Sequence, residues 1–221
     1  MSTWRVVPPW NRSAGFSLLE MLVALAIVSI IIASMTAVFE RSGRLYTTQN
    51  AAAALQQEVR AAMDVIVSET RMAAYDPAKS GDFKIRKAEA TQFRFEADYD
   101  GDEKVGGYKA DGTVAKNDPY SKSPESRCEN RTFRYNLTGK SIHSICGTDA
   151  ETLIGGADSN IKVTALDFSY RDKKNNPTSL VSEIRGAVIT ITAQAPAGRE
   201  GMIERTYRTS VDFRNTGLNN M

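Results

Sequence analysis

Histidine and cysteine are scarce. Of 221 residues only His143 is a histidine and only Cys128 and Cys146 are cysteines. That is too few ligands for a zinc centre of ordinary type, and it disfavours any histidine-based triad or dyad. Neither charge sign is in excess: 28 Lys and Arg stand against 26 Asp and Glu, for a net charge of +2. A general polyanion-binding protein carries a strong, localised basic surplus, and none is present here. No internal repeat and no Pro- or Ser-rich linker marks a second domain, and the length suits one domain and a little more. Composition points away from an enzyme, from a resident cofactor and from nucleic acid as a partner.

A different absence defines the N-terminal part. From Met21 to Phe39 there is no charge, no proline and no glycine. A helix over that stretch covers roughly 28 Å, about one bilayer hydrocarbon core. The run is longer than the apolar region of a usual signal sequence, and no small-x-small cleavage site follows it. It reads as a membrane-spanning helix. Arg5 and Arg12 precede it and no acid does until Glu20, so the positive-inside rule puts the first 15 residues in the cytoplasm and everything after Glu40 on the other side. Glu20 lies inside the apolar stretch that begins at Phe16, where an unpartnered carboxylate costs several kcal/mol.

The string Gly15-Phe16-Ser17-Leu18-Leu19-Glu20-Met21-Leu22-Val23, with its basic leader and its uninterrupted apolar continuation, resembles the processing signal of the type IV pilin and type II secretion pseudopilin superfamily. The resemblance implies several things. A membrane aspartic peptidase cuts between Gly15 and Phe16 and the same prepilin peptidase/methyltransferase methylates Phe16. Glu20 becomes an assembly residue, and the partners are other pilins or pseudopilins and an inner-membrane assembly platform. Physical chemistry supports the role of Glu20, because a neighbour's N-terminal amine would offset the carboxylate in a low-dielectric seam and set the register of a helix bundle. The expected location is a single-pass inner-membrane protein with its C-terminal part in the periplasm, and afterwards a pilus or pseudopilus.

The helix is expected to continue beyond the membrane. Glu40 to Ala74 has no proline, and Leu55, Val59, Ala62, Met63 and Ile66 recur at spacings of three and four, the pattern of an amphipathic stripe laid on the chain's own sheet. Asp76-Pro77 is the expected stop. Short alternating segments follow and read as strands: Thr91 to Glu96, Thr132 to Tyr135, Ser141 to Ile145, Val163 to Tyr170, Ile184 to Ala195 and Arg205 to Phe213, separated by Gly-, Asn- and Pro-containing turns. The expected fold is α+β, a pilin-like long N-terminal helix packed on an antiparallel sheet. Its divisions are a cleaved leader over 1–15, a membrane half over 16–39, an extramembrane helix over 40–76, and a β-rich domain over 77–221 with a polar insertion at about 97–130.

Val163 to Tyr170, Ile184 to Ile191 and Tyr207 to Asn215 resemble, more loosely, the larger minor subunits of that superfamily, the PilW-like minor pilins and J-type minor pseudopilins. Cys128 and Cys146 flank a predicted hairpin, and in an oxidising periplasm they are expected to bridge, adding about 3 kcal/mol by loop closure. Asp98, Asp100 and Asp102 place oxygens at alternate positions of a turn and suggest calcium ligands. Glu103 and Lys109 depart from the glycine and glutamate that an EF-hand loop requires. Arg127, Arg131 and Arg134 interleave with Phe133 and Tyr135, a pattern that can hold single-stranded nucleic acid, but Glu125 and Glu129 dilute it.

Overall fold

The computed structural model describes residues 15–99, 105, 128–146 and 149–216. Among the described residues one α-helix, α1 (Leu18–Thr70), is followed by eight strands and two single-turn 3-10 helices. The strands are β1 (Ile85–Glu89), β2 (Gln92–Glu96), β3 (Asn130–Asn136), β4 (Ser141–Cys146), β5 (Asp149–Gly155), β6 (Lys162–Arg171), β7 (Gly186–Pro196) and β8 (Met202–Asp212). The chain divides into two compact units, 1–46 and 47–221.

With no proline and only Gly43 in 53 residues, nothing inside α1 interrupts its hydrogen-bond ladder. In the second unit it buries Leu55, Val59, Ala62, Met63, Ile66 and Thr70, so the stripe legible in the sequence is the face that meets this chain's sheets. The helix ends at Thr70, short of the 74 to 76 expected from Asp76-Pro77. The cause is a tightened turn. Met72 and Ala73 donate to the carbonyls of Glu69 and Thr70, and Ala74 takes a left-handed φ of 58° and donates to the Glu96 carbonyl of β2 at 2.8 Å. Capture of Ala74 by the sheet ends the helix before proline has the opportunity.

The expected antiparallel sheet is two sheets. Strands β1 to β5 form an antiparallel meander in sequence order, and β6 to β8 form a second. The strand patterns were read in the right places, but β1 and β5 carry no clear alternation. They are the two edges of the first sheet, with one buried side chain each. Half-exposed edge strands need little apolar patterning, because only a central strand is covered on both flanks.

The sheets share one core. Phe93 of β2 lies with its ring centroid 5.5 Å from Phe95, 5.8 Å from Phe168, 5.7 Å from Tyr170 and 5.3 Å from Phe213, so a single side chain ties the first sheet to β6 and to the residue that follows β8. Backbone bonds join the sheets as well, from Phe168 to the Ala90 carbonyl and from Val163 to the Lys140 carbonyl, both 2.8 Å. The Tyr135 hydroxyl donates across to Val163 and Thr164, and that of Tyr170 to Glu89. Burial, reinforced by the charges of Asp167 and Glu89, pushes the Tyr170 hydroxyl well above the ordinary tyrosine range, so it stays a donor.

Glu96 ties strands within the first sheet. Its buried carboxylate is paired with Arg86 and approached by the Asn130 amide, and Asn130 in turn accepts from Arg94. The stems of the 97–130 insertion are part of this core and not surface loop: Ala97 and Asp98 are buried, and their amides donate to Glu129 and Tyr75.

After α1 the chain is held by Asp76, whose carboxylate accepts from the Ser80 amide at 3.1 Å, the Ser80 hydroxyl at 3.2 Å and the Gly81 amide at 2.7 Å. Burial works to raise its pKa, but these bonds and one from the Lys79 amide outweigh it and hold the carboxyl below the ordinary aspartate value.

Two predictions follow from these contacts. Phe93→Ala removes the shared ring and should cost about 3–5 kcal/mol, measured by urea unfolding followed by circular dichroism and by tyrosine fluorescence; a loss below about 1 kcal/mol would show that the sheets do not depend on it. A folded-state pKa below the unfolded one stabilises above the unfolded value, and the gain is lost as pH falls through the folded value. Asp76→Asn should therefore cost about 1 kcal/mol at pH 7, and the gap to the parent should close below about pH 4, as measured by thermal melts across pH.

Candidate functional site

Gly15, Phe16 and Ser17 precede α1 without helical structure, and the first helical bond runs from Met21 to the Ser17 carbonyl at 3.1 Å. The Gly15–Phe16 bond is therefore outside the helix, its amide and carbonyl not committed to the ladder. A protease that needs an extended substrate meets it in that state.

What starts the helix there is a reciprocal cap. The Glu20 amide donates to the Ser17 hydroxyl at 3.2 Å, and the Ser17 amide donates to the Glu20 carboxylate at 3.4 Å. This is the capping box that Ser-x-x-Glu encodes. It satisfies two of the N–H groups that a helix start leaves open, and it places the acid where the helix dipole favours negative charge. The sequence reading took Glu20 only as a contact between subunits and missed Ser17, although the spacing of the two residues was there to be read.

Past the cap, Leu18, Leu22, Leu25, Ile30 and Phe39 are among the large apolar side chains exposed along the first half of α1. No residue of the helix before Leu55 is buried. Polar groups in the same stretch are satisfied inside the helix: the hydroxyls of Ser29, Ser34 and Thr36 donate to the carbonyls of Ala26, Ile30 and Ile32 at 2.7 to 2.9 Å. A helix apolar on every side, with its hydroxyls folded back on its own backbone, suits a solvent without hydrogen-bond partners. Charge returns at Glu40 and Arg44, paired at 3.7 Å one turn apart. Among the described residues this is the one helix long and apolar enough to cross a membrane.

The remaining sequence-derived residues fall elsewhere. Cys128 and Cys146 form a disulfide with Cα atoms 5.8 Å apart, tying the start of β3 to the end of β4. Of the three aspartates suggested for calcium, Asp98 is buried in the core and donates its amide to Tyr75; Asp100 and Asp102 lie outside the described residues. Among the described residues no three or more His, Cys, Asp or Glu side chains gather as a metal site would require.

Arg127 also lies outside the described residues. Arg131 is ion-paired with Glu69 of α1 at 3.3 Å and bonded to Ser144, Phe133 is fully buried, and the Tyr135 hydroxyl is bonded into β6. The two rings that would have stacked on bases are structural. His143 has its Nε2 2.8 Å from the Ser141 hydroxyl, the arrangement of a nucleophile and its base. Ser141 is only 1% exposed, so no substrate reaches it. A groove of about 530 Å³ gathers Arg171 and Arg185, but Arg185 donates to the Ser182 and Ile184 carbonyls and Arg171 to Asn175. Both arginines hold loops. The site with unspent chemistry is the start and first half of α1.

Comparison with known proteins agrees with that position. A prokaryotic N-terminal methylation motif matches residues 10–36, which include Gly15, Phe16 and Glu20. Residues 48–213, well over half of the chain, match the family described as prepilin peptidase-dependent protein B. No curated protein and no solved structure matches significantly. Pilin-like families of this kind are structural and not enzymatic, and dependence on the prepilin peptidase makes that enzyme the processing partner. An apolar α1 on antiparallel sheets, a methylation motif at its start and a match across the β-rich part make the chain a pilin- or pseudopilin-type protein that belongs to the prepilin peptidase-dependent protein B family.

Proposed function

We propose that the chain is a PilW-like minor pilin, a non-catalytic subunit that enters a type IV pilus and primes its assembly after cleavage behind Gly15 and methylation of Phe16. The observation that carries this reading is the first half of α1. It is apolar on all sides, without a buried residue in its own chain, and begins two residues after the scissile bond at a Ser17–Glu20 cap. Such a surface needs a bilayer before assembly and neighbouring helices afterwards.

In the bundle the Glu20 carboxylate exchanges its own cap for the N-terminal amine of an adjacent subunit, with inner-membrane assembly components supplying the lift. Before assembly the C-terminal unit is on the periplasmic side, where the disulfide forms. A minor pseudopilin of a type II secretion system uses the same helix and the same processing, and is told apart by the machinery that takes up the mature chain.

Intact mass of the membrane-extracted chain, from cells with and without the prepilin peptidase, tests the reading. Loss of Met1 to Gly15 together with one added methyl group, dependent on that enzyme, is expected. An uncut chain in both strains would leave a membrane-tethered binding module as the better description. Glu20→Ala should leave membrane insertion and cleavage largely unchanged while incorporation into sheared filaments drops at least about tenfold, the loss of one ion pair in an apolar seam. Normal incorporation of that variant would remove Glu20 from assembly.

A further inference from the structure

The second sheet has an edge unlike the others described. On its far side β6 is engaged: Val163 and Phe168 donate to Lys140 and Ala90, and the Tyr170 carbonyl accepts from Thr178. In the first sheet the ladders at both edges are broken, between Ile85 and Lys87 of β1, and between Ile142 and His143 where β4 meets β5. Irregularities of this kind blunt an edge against further pairing. The β8 edge has none. Its 11 residues run in unbroken register on β7, from Asp212 opposite Gly186 to Met202 opposite Pro196. No described strand lies beyond it, and it contains no proline.

The hairpin geometry shows which backbone groups face outward. Ala197 donates to the Gly201 carbonyl at 2.7 Å, and at the other end of the ladder Phe213 donates to Arg185 at 2.8 Å. Hydrogen-bonded and non-hydrogen-bonded pairs alternate along an antiparallel ladder, so the odd-numbered residues of β8 address β7. Met202, Glu204, Thr206, Arg208, Ser210 and Asp212 turn their N–H and C=O groups away from it, and their side chains are exposed.

We propose that this edge pairs with β8 of a second copy of the chain, antiparallel about a twofold axis at Thr206. Charge and overlap together select that register: centring on Ser210 also sets Arg208 against Asp212 but pairs only the five residues Arg208 to Asp212, where the Thr206 register pairs the nine from Met202 to Ser210. Centred on Thr206, each Glu204 faces the other copy's Arg208, giving two opposite-charge pairs at directly opposed positions. Centring on Arg208 sets Glu204 against Asp212, and centring on Glu204 sets the two carboxylates together. Centring on Tyr207 leaves Glu204 opposite Ser210 with no ion pair. The product is one continuous six-stranded sheet, two three-stranded sheets joined edge to edge. Glu204 accepts from the Thr164 hydroxyl at 3.3 Å across β7, a contact that it exchanges for the second copy's Arg208 on pairing.

The test uses the full-length chain in detergent or nanodiscs. The two native cysteines are bonded to each other, so Thr206→Cys introduces a unique thiol on the axis, and Ser169→Cys introduces one on exposed β6 as a control. On mild oxidation Thr206→Cys should give at least about tenfold more disulfide-linked dimer than Ser169→Cys, since residues opposed in a hydrogen-bonded pair lie within bridging distance. In the Thr206→Cys background, Glu204→Arg or Arg208→Glu should each cut the dimer at least about fivefold by opposing like charges, and the two together should restore it. An unchanged melting temperature and an intact Cys128–Cys146 bond report that each variant is folded. Equal yields at the two thiols, or no recovery in the double reversal, would overturn the proposal. So would cross-linking in cell membranes to a different protein alone.

Discussion

Among the described residues, no side chain of α1 before Leu55 is buried. A soluble helix of this length would bury a stripe from end to end, because an uncovered apolar face in water is costly and invites association. Here burial begins at Leu55, and the residues up to Phe39 present leucine, isoleucine, valine and phenylalanine outward on every side. That surface is tolerable only in a bilayer or in a bundle of similar helices. The rest follows from it. The second unit has to be stable without any contribution from the first half of α1, and a shared aromatic core, two sheets and a disulfide give it the means.

The division explains where the polar groups sit. In the first half the hydroxyls of Ser29, Ser34 and Thr36 turn back to their own helix, so the segment shows no unmet donor to a solvent that offers no acceptor. In the second half Glu69 reaches out to Arg131 and Tyr99, and the Glu96 carbonyl captures Ala74. There the helix bonds to sheet elements far along the chain, and the end of α1 is set by tertiary contacts. Phe93 completes the connection, since its ring lies against Phe168, Tyr170 and Phe213 within a core that side chains of both sheets share.

These features differ in how far a sequence can show them. The apolar run, the processing string and the stripe from Leu55 to Ile66 were legible, because each is a local pattern imposed by a solvent or by helical period. Six strands were legible for the same reason. The edges β1 and β5 were not, since Ile85–Glu89 and Asp149–Gly155 hold one buried side chain each and owe their pairing to neighbours distant in the chain. The split into two sheets was hidden too: it depends on β5 ending at Gly155, whose φ of 83° and closeness to the Lys140 carbonyl exclude a side chain, and on no local periodicity. At the site the order was reversed. Ser17 and Glu20 spell a capping box in plain sequence, but the carboxylate's position in an apolar run drew the reading toward a contact between subunits.

Both readings of Glu20 describe one carboxylate at two times. In the isolated chain the acid is offset by the helix start, where the Ser17 amide donates to it and the dipole favours negative charge. The proposed exchange of that cap for a neighbour's amine therefore does not rescue a bare buried charge; it replaces one set of partners with another, and the net gain is the difference. Buried ion pairs measured against a satisfied reference contribute little to stability and much to register. On this account the apolar surface of α1 supplies the drive to bundle, and Glu20 supplies the constraint on where along the neighbouring helix each subunit stops.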